Sequence, residues 1–172
     1  MKNILAILLI LVGCSMKHNS AVTDVYLTTE SGVGRKIGEV KFADTAKGLR
    51  VRVDLQNLPA GEHGFHIHEN PDCSAKADDK GNMQPALSAG GHFDPAHTGK
   101  HLGPHGHGHK GDMPALNVKD DGTVKTDFYL RDLTVEEIKN RSIIIHAGGD
   151  NYKDEPLPLG GGGARIACGI IR

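Results

Sequence analysis

The chain of 172 residues has no tryptophan, only three cysteines, and a net charge of −1 with its histidines neutral. So even a balance gives nothing that would draw the chain to nucleic acid. No apolar run approaches the ~20 residues of a membrane-crossing helix, which excludes a spanning segment on length alone. Helical signal is just as scarce. It is confined to Thr134-Val135-Glu136-Glu137, a capping-box match able to start a single turn. What the chain does have is histidine, 11 residues of it, most of them in a few short motifs.

The strongest apolar run, from Ile4 to Val12, follows Lys2 and ends at Gly13-Cys14. A basic start, a short apolar stretch and a small residue at its end describe a secretory signal, so residues 1–13 are expected to be removed. Leu11-Val12-Gly13-Cys14 resembles the lipobox of bacterial lipoprotein signals, which implies cleavage before Cys14 and a lipid on its thiol. Ser15 leans toward the outer membrane rather than the inner. Residues 14–21 then read as the lipidated cysteine and a polar tether, and residues 22–172 as one domain of ordinary size. The expected location is the periplasm, with the lipid as the sole membrane contact. Once Cys14 is given to lipid, Cys73 and Cys168 remain, and an oxidising compartment favours their pairing.

From Val22 onward, short runs alternate in the β manner. The clearest is Leu49, Val51, Val53 and Leu55, separated by Arg50, Arg52 and Asp54, which predicts a strand with one wet face. Leu116-Asn117-Val118 and Val124 to Leu130 flank Lys119-Asp120-Asp121-Gly122-Thr123 and predict a hairpin, with Gly122 free to take positive φ. Ser142 to Ala147 and Ala164 to Ile171 supply two more apolar strands. Together they predict an all-β domain, an antiparallel sandwich or barrel. Glu69 to Pro114 carries no convincing strand, and structureless stretches beyond about 12–15 residues are usually functional or disordered. This one holds Cys73 and repeated histidines, two means of being tied down.

His66 and His68 are separated by one residue, so on a strand both imidazoles leave the same face. His146, at the end of Ile143-Ile144-Ile145, adds a third ligand from a rigid strand. Imidazoles suit copper, zinc, iron or nickel, and a histidine-only tetragonal site favours Cu(II). A second group, His92, His101, His109 and Asp112, offers three imidazoles and a carboxylate, a closed set of the kind structural zinc takes. His97, His105 and His107 show no spacing that demands a ligand role and read as solvent-facing. His63 reads as a structural hydrogen-bonding residue.

The blocks Gly64 to Glu69, Asn70-Pro71-Asp72-Cys73, Gly90 to Pro95, Gly108 to Pro114, His146 to Asp150 and Gly160 to Gly169 resemble, in order, those of the bacterial copper,zinc superoxide dismutases. The resemblance covers almost everything after the tether. It implies a Greek-key β-barrel with long metal-binding loops, copper on His66, His68, His92 and His146, and zinc on His92, His101, His109 and Asp112. His92 would be shared, its ring bridging both metals. It further implies that Asp150 joins His66 to His101 from outside the ligand sets, fixing ring orientation. Cys73 and Cys168 match the family disulfide, and Arg165 matches the arginine beside the copper.

The implied activity is conversion of superoxide to dioxygen and hydrogen peroxide. Zinc has no redox chemistry, so copper must cycle. The bridging imidazole of His92 can return a proton to the product, and Arg165, permanently cationic and forked, suits a small anion. Two departures from the family stand out: His105 and His107 leave room for an extra metal site, and Lys76, Asp78, Asp79 and Lys80 are placed to shape an anion-steering field. A homodimer stays open. An envelope copper or zinc carrier could use the same histidines, but it would need neither a shared ligand nor Arg165. A hydrolytic zinc enzyme would keep an open position, whereas this zinc set is complete with four.

Overall fold

The computed structural model describes residues 19–172. The expectations of a cleaved segment at 1–13, a lipid on Cys14 and the start of the tether lie outside the described residues. The last tether residues do not behave as a linker: strand β1 spans Ser20–Thr29, and Ala21 is already buried. The alternation Ala21, Thr23, Val25, all buried, begins one step before Val22.

The remaining strands are β2 (Gly32–Thr45), β3 (Gly48–Leu55), β4 (Gly61–His63), β5 (Phe65–His68), β6 (Lys76–Ala77), β7 (Met83–Gln84), β8 (Leu116–Val118), β9 (Val124–Leu130), β10 (Arg141–His146) and β11 (Arg165–Ile171). Seven of them form one antiparallel sheet in the order β5-β10-β11-β1-β2-β3-β9. β4 pairs with β8. Because β4 runs into β5 and β8 runs into β9, this small ladder ties together the two edges of the large sheet and closes it into a barrel. Closure removes the unpaired edges that an open sheet would expose. The all-β antiparallel barrel is therefore as expected.

One connection differs from the sequence reading. Residues 119–123 do form a tight turn, closed by the Gly122 N–H on the Lys119 carbonyl at 2.9 Å with Gly122 at φ 76°. Its two arms are not a hairpin, because β8 pairs with β4 while β9 pairs with β3. A turn fixes only the reversal of the chain; the partner of each arm is chosen by distant strands. The segment 69–114 also holds the two-residue ladder β6–β7, whose turn is gripped by Asp78 accepting from the backbone of Lys80 and Asn82. Thr134 and Glu137 make the expected capping box at a single helical turn, α1 (Val135–Ile138), with Val135 and Ile138 buried.

Period-2 geometry then sorts the side chains. On β5 and β10, Phe65, Ile67, Ile143 and Ile145 point into the main core. His66 lies opposite Ile144 and His68 opposite Ser142, so these residues share the other face of the wall. Ile144 packs there against Cys73, Ala86, Ala89 and Cys168. Cys73 and Cys168 form the expected disulfide, spanning 95 residues. In the chain-entropy model such a closure stabilises the fold by about 4–5 kcal/mol. It also lays the 69–91 segment over the histidine-bearing face. Among the described residues, no helix is long and apolar enough to cross a membrane.

Candidate metal centre

Strand β5 delivers His66 and His68, and the end of β10 delivers His146. His92 arrives from the long loop, where it makes a bridge beside His68, and Asp112 makes one beside His66. The backbone zips these segments together. Ile67 N–H donates to Gly111 O at 2.8 Å, Phe93 N–H to Ile67 O at 2.8 Å, and Gly111 N–H to Phe93 O at 2.9 Å. Each of those residues adjoins a histidine or Asp112. A Cβ on Gly111 would lie 2.2 Å from the Ile67 carbonyl, so only glycine permits the approach.

His66, His68, His92, His101, His109, Asp112, His146 and Asp150 are all buried. Burial of so many polar rings is costly unless each nitrogen finds a partner. One nitrogen does in each of His66, His68, His92, His101 and His146. His66 Nε2 lies 2.7 Å from Asp150 Oδ2, His68 Nδ1 3.0 Å from Gly90 O, His92 Nδ1 3.0 Å from Asp112 Oδ1, and His146 Nδ1 3.1 Å from Gly163 O. The opposite atoms, His66 Nδ1, His68 Nε2, His92 Nε2 and His146 Nε2, have no hydrogen-bond partner. Donor atoms of these four residues lie within 4.8 Å of one another. Four free imidazole nitrogens converging in a buried space fit a copper ion.

The second group is arranged around Asp112. Its oxygens stand 3.0 Å from His92 Nδ1, 2.9 Å from His101 Nδ1 and 3.5 Å from His109 Nδ1. Ligand atoms held about 2.0–2.1 Å from a tetrahedral zinc are roughly 3.3 Å apart, so the spacing fits that ion. His66 also comes within 4.8 Å of His92, His101 and Asp112. Its Nε2 is taken by Asp150, however, and its one free nitrogen belongs with the first group. His109 Nδ1 is free and faces Asp112.

Asp150 spans the two groups, with Oδ2 on His66 and Oδ1 2.8 Å from His101 Nε2. Gly160 makes room for it: at φ 73° a Cβ there would lie 2.0 Å from Asp150 Oδ1 and 2.8 Å from His101 Nε2. Two further supports carry no sequence signal. Asp154 accepts the His101 backbone N–H at 3.0 Å, and Glu62 accepts that of Asp150 at 3.3 Å. His63, as expected, is structural, bonding His146 O at 2.7 Å and Pro59 O at 2.9 Å. His97, His105 and His107 lie outside both groups.

Electrostatics separates the two halves. Burial, helped by the neighbouring rings, pushes His68 well below the ordinary histidine value, His92 down to about 4 and His146 down to about 3. In His101 burial acts the same way but is outweighed by Asp112 and Asp150, which raise it to about 9. Both carboxylates lie well below their usual range: burial pushes them up, and the hydrogen bonds from His101 and its neighbours more than reverse it. His68, His92 and His146 are thus neutral and ready to ligate at pH 7, whereas His101 holds a proton that a metal would displace.

Arg165 sits at the rim of the first group, and its charge contributes to lowering His68 and His146. The guanidinium donates to Ala86 O at 2.6 Å and to Gly90 O at 2.7 Å. Gly90 O also faces His68, so one carbonyl orients both the ring and the cation.

The model of the copper/zinc superoxide dismutase family matches residues 36–171. The chain belongs to that family. It is 48% identical to the copper–zinc superoxide dismutase of Escherichia coli K12 over 98% of this chain and 97% of that one. It is 47% identical to that of Brucella abortus biovar 1 over 88% of each. The solved copper/zinc superoxide dismutase of Brucella abortus superposes with a TM-score of 0.87 at 46% identity, covering 90% of this chain and all of the other. The monomeric enzyme from Salmonella enterica gives 0.79, also at 46% identity, with the same coverage. As a family member the chain is a superoxide dismutase with copper and zinc as cofactors and the Greek-key barrel of its relatives. The carrier reading is not favoured.

Proposed function

We propose that His66 through Nδ1, and His68, His92 and His146 through Nε2, hold the copper, while His92, His101 and His109 through Nδ1 hold the zinc with Asp112. The observation that carries this reading is the division of labour on each ring of the copper set, one nitrogen fixed by the protein and the other left free in a buried space. His92 alone belongs to both sets, since its two nitrogens face opposite groups. Copper, when bound, supplies the one-electron exchange that no side chain here offers.

The chain's own residues supply the rest. Two superoxide anions and two protons give one dioxygen and one hydrogen peroxide, so the site must attract an anion and deliver protons. Arg165 stays cationic and, with its guanidinium braced on two carbonyls, holds the anion at the rim. His92 Nε2 can carry a proton whenever it is not a ligand and hand it to the reduced product. Asp150, tied to both His66 and His101, keeps the rings of the two sets in register.

The decisive experiment is superoxide consumption by Arg165→Ala at matched copper and zinc content. A loss equivalent to about 1–3 kcal/mol is expected, typical of a charged hydrogen bond, together with a shallower dependence on ionic strength. Equal rates and equal salt slopes would remove Arg165 from the mechanism.

The same reading places the enzyme in the periplasm, after removal of residues 1–13, with a lipid on Cys14 holding it to the outer membrane and a short polar stretch before β1. The lipobox-like Leu11-Val12-Gly13-Cys14 supports it. Cys14→Ser is expected to release the protein from the membrane fraction, and retention of the variant would overturn the anchor.

A further inference from the structure

Outside the metal sets, one side chain touches the residues that follow two of the histidines. Glu69 follows His68, Phe93 follows His92, and Lys110 follows His109. Arg141, the first residue of β10, donates through one terminal nitrogen to Glu69 O at 3.1 Å, and its guanidinium carbon lies 3.5 Å from the centroid of the Phe93 ring. Its Nε donates to Glu137 O at 2.9 Å. Glu137 in turn bonds Lys110 through its carboxylate, and the same carboxylate accepts from the Thr134 backbone at 3.0 Å.

From this we infer that Arg141 is a positioning residue for both metal sets, holding His68 and His92 through the adjoining Glu69 and Phe93, and His109 through Glu137 and Lys110. The inference rests on the ligand assignment proposed above. Its physical basis is the guanidinium itself. A flat, permanently charged group can stack on an aromatic face and donate in its own plane at once, which an ammonium cannot do. Three points along the long loop are thereby referred to one rigid strand. β10 is the strand that also carries His146, so the copper ligands His68, His92 and His146 share one mechanical reference. A role limited to ending α1, where Nε meets the last helical carbonyl, would use the Glu137 contact alone. It would leave the Phe93 stack and the Glu69 bond without purpose.

The test uses full-length protein loaded with copper and zinc, comparing wild type, Arg141→Lys and Lys110→Met at equal metal content. The readouts are the Cu(II) electron paramagnetic resonance spectrum and the rate of zinc loss to a chelator. Arg141→Lys keeps the charge and the stem but gives up the fork and the stack. It is expected to shift the copper hyperfine splitting and to release zinc about 10-fold faster, as outer-sphere changes commonly do. Lys110→Met breaks only the arm to His109, and should speed zinc release while leaving the copper spectrum as in wild type. A wild-type spectrum and wild-type zinc release in Arg141→Lys would overturn the inference, as would a copper shift equally large in Lys110→Met. A changed melting temperature with unchanged spectra would assign Arg141 to the fold alone. If Arg141→Lys does not fold, Phe93→Leu, which removes the stacked face but stays apolar, is read by the same criteria. Should wild type itself lack nitrogen coupling to copper, the ligand assignment fails, an outcome distinct from failure of the Arg141 role.

Discussion

On β3, apolar and polar residues alternate, with Leu49, Val51, Val53 and Leu55 inside and Arg50, Arg52 and Asp54 toward solvent. On β10, by contrast, every residue from Ser142 to His146 is buried, because the disulfide-pinned loop covers the face that would otherwise be wet. The first wall is held by the barrel core alone. The second is a layered region in which core, wall, buried histidines and covering loop are stacked, and its polar face exists only because distant chain is folded over it. Stability in the first should depend on packing, and function in the second on long-range anchors.

The comparison breaks most sharply if a substitution in each wall is read for both metal and stability. His68→Ala is expected to abolish copper retention and superoxide consumption. Leu55→Ala should cost about 2–5 kcal/mol of stability with metal content per folded molecule unchanged. Denaturant unfolding and metal analysis on the two variants decide it, and loss of copper in folded Leu55→Ala would refute the separation.

Next in size is the anchor. Cys73→Ser should cost about 4–5 kcal/mol by loop-closure entropy, and it should also lower the rate at full metal content, because Ala86 and Gly90 then hold Arg165 less firmly. A variant destabilised but fully active would show that the loop keeps its place without the disulfide.

Asp150→Asn is expected to weaken zinc binding about 10–100-fold, since the amide cannot accept from His66 and His101 with both oxygens. Competition with a chelator measures it. An unchanged zinc affinity would leave Asp150 a packing residue.

The smallest effect concerns the metal-free protein. His92 and His146, lowered from the ordinary 6.5 to about 4 and about 3, contribute stability above pH 6.5 that is lost as pH falls toward those values. His101, raised to about 9, contributes stability below pH 6.5 that is lost as pH rises through 9. Thermal unfolding of chelator-treated protein should therefore be most resistant near pH 6.5. A flat profile from pH 4 to 9 would contradict these environments.

The residues of the site were legible in the sequence to an unusual degree because strand geometry is local. His66 and His68 share a face whenever they lie on a strand, and the triple isoleucine before His146 marks a buried one. The ordered blocks that resemble the family did the same for Asp150 and Arg165. A hairpin does not form at 119–123 because a turn reports chain reversal and not pairing, and the partners of β8 and β9 lie roughly fifty-five to eighty residues away in the chain. Ala21 belongs to β1 without a sequence signal, because a single small residue carries too little hydrophobic weight to mark a strand.

The β periodicity and the spacing of the histidines on strands follow from local order in the chain, since each depends on neighbours a few residues apart. Long-range folding sets which ring nitrogen stays free, that one carbonyl of Gly90 orients both His68 and Arg165, and that Arg141 touches the residues after His68 and His92. Those are choices among hydrogen-bond partners brought together from distant parts of the chain, and a backbone carbonyl has no letter in the sequence to announce it.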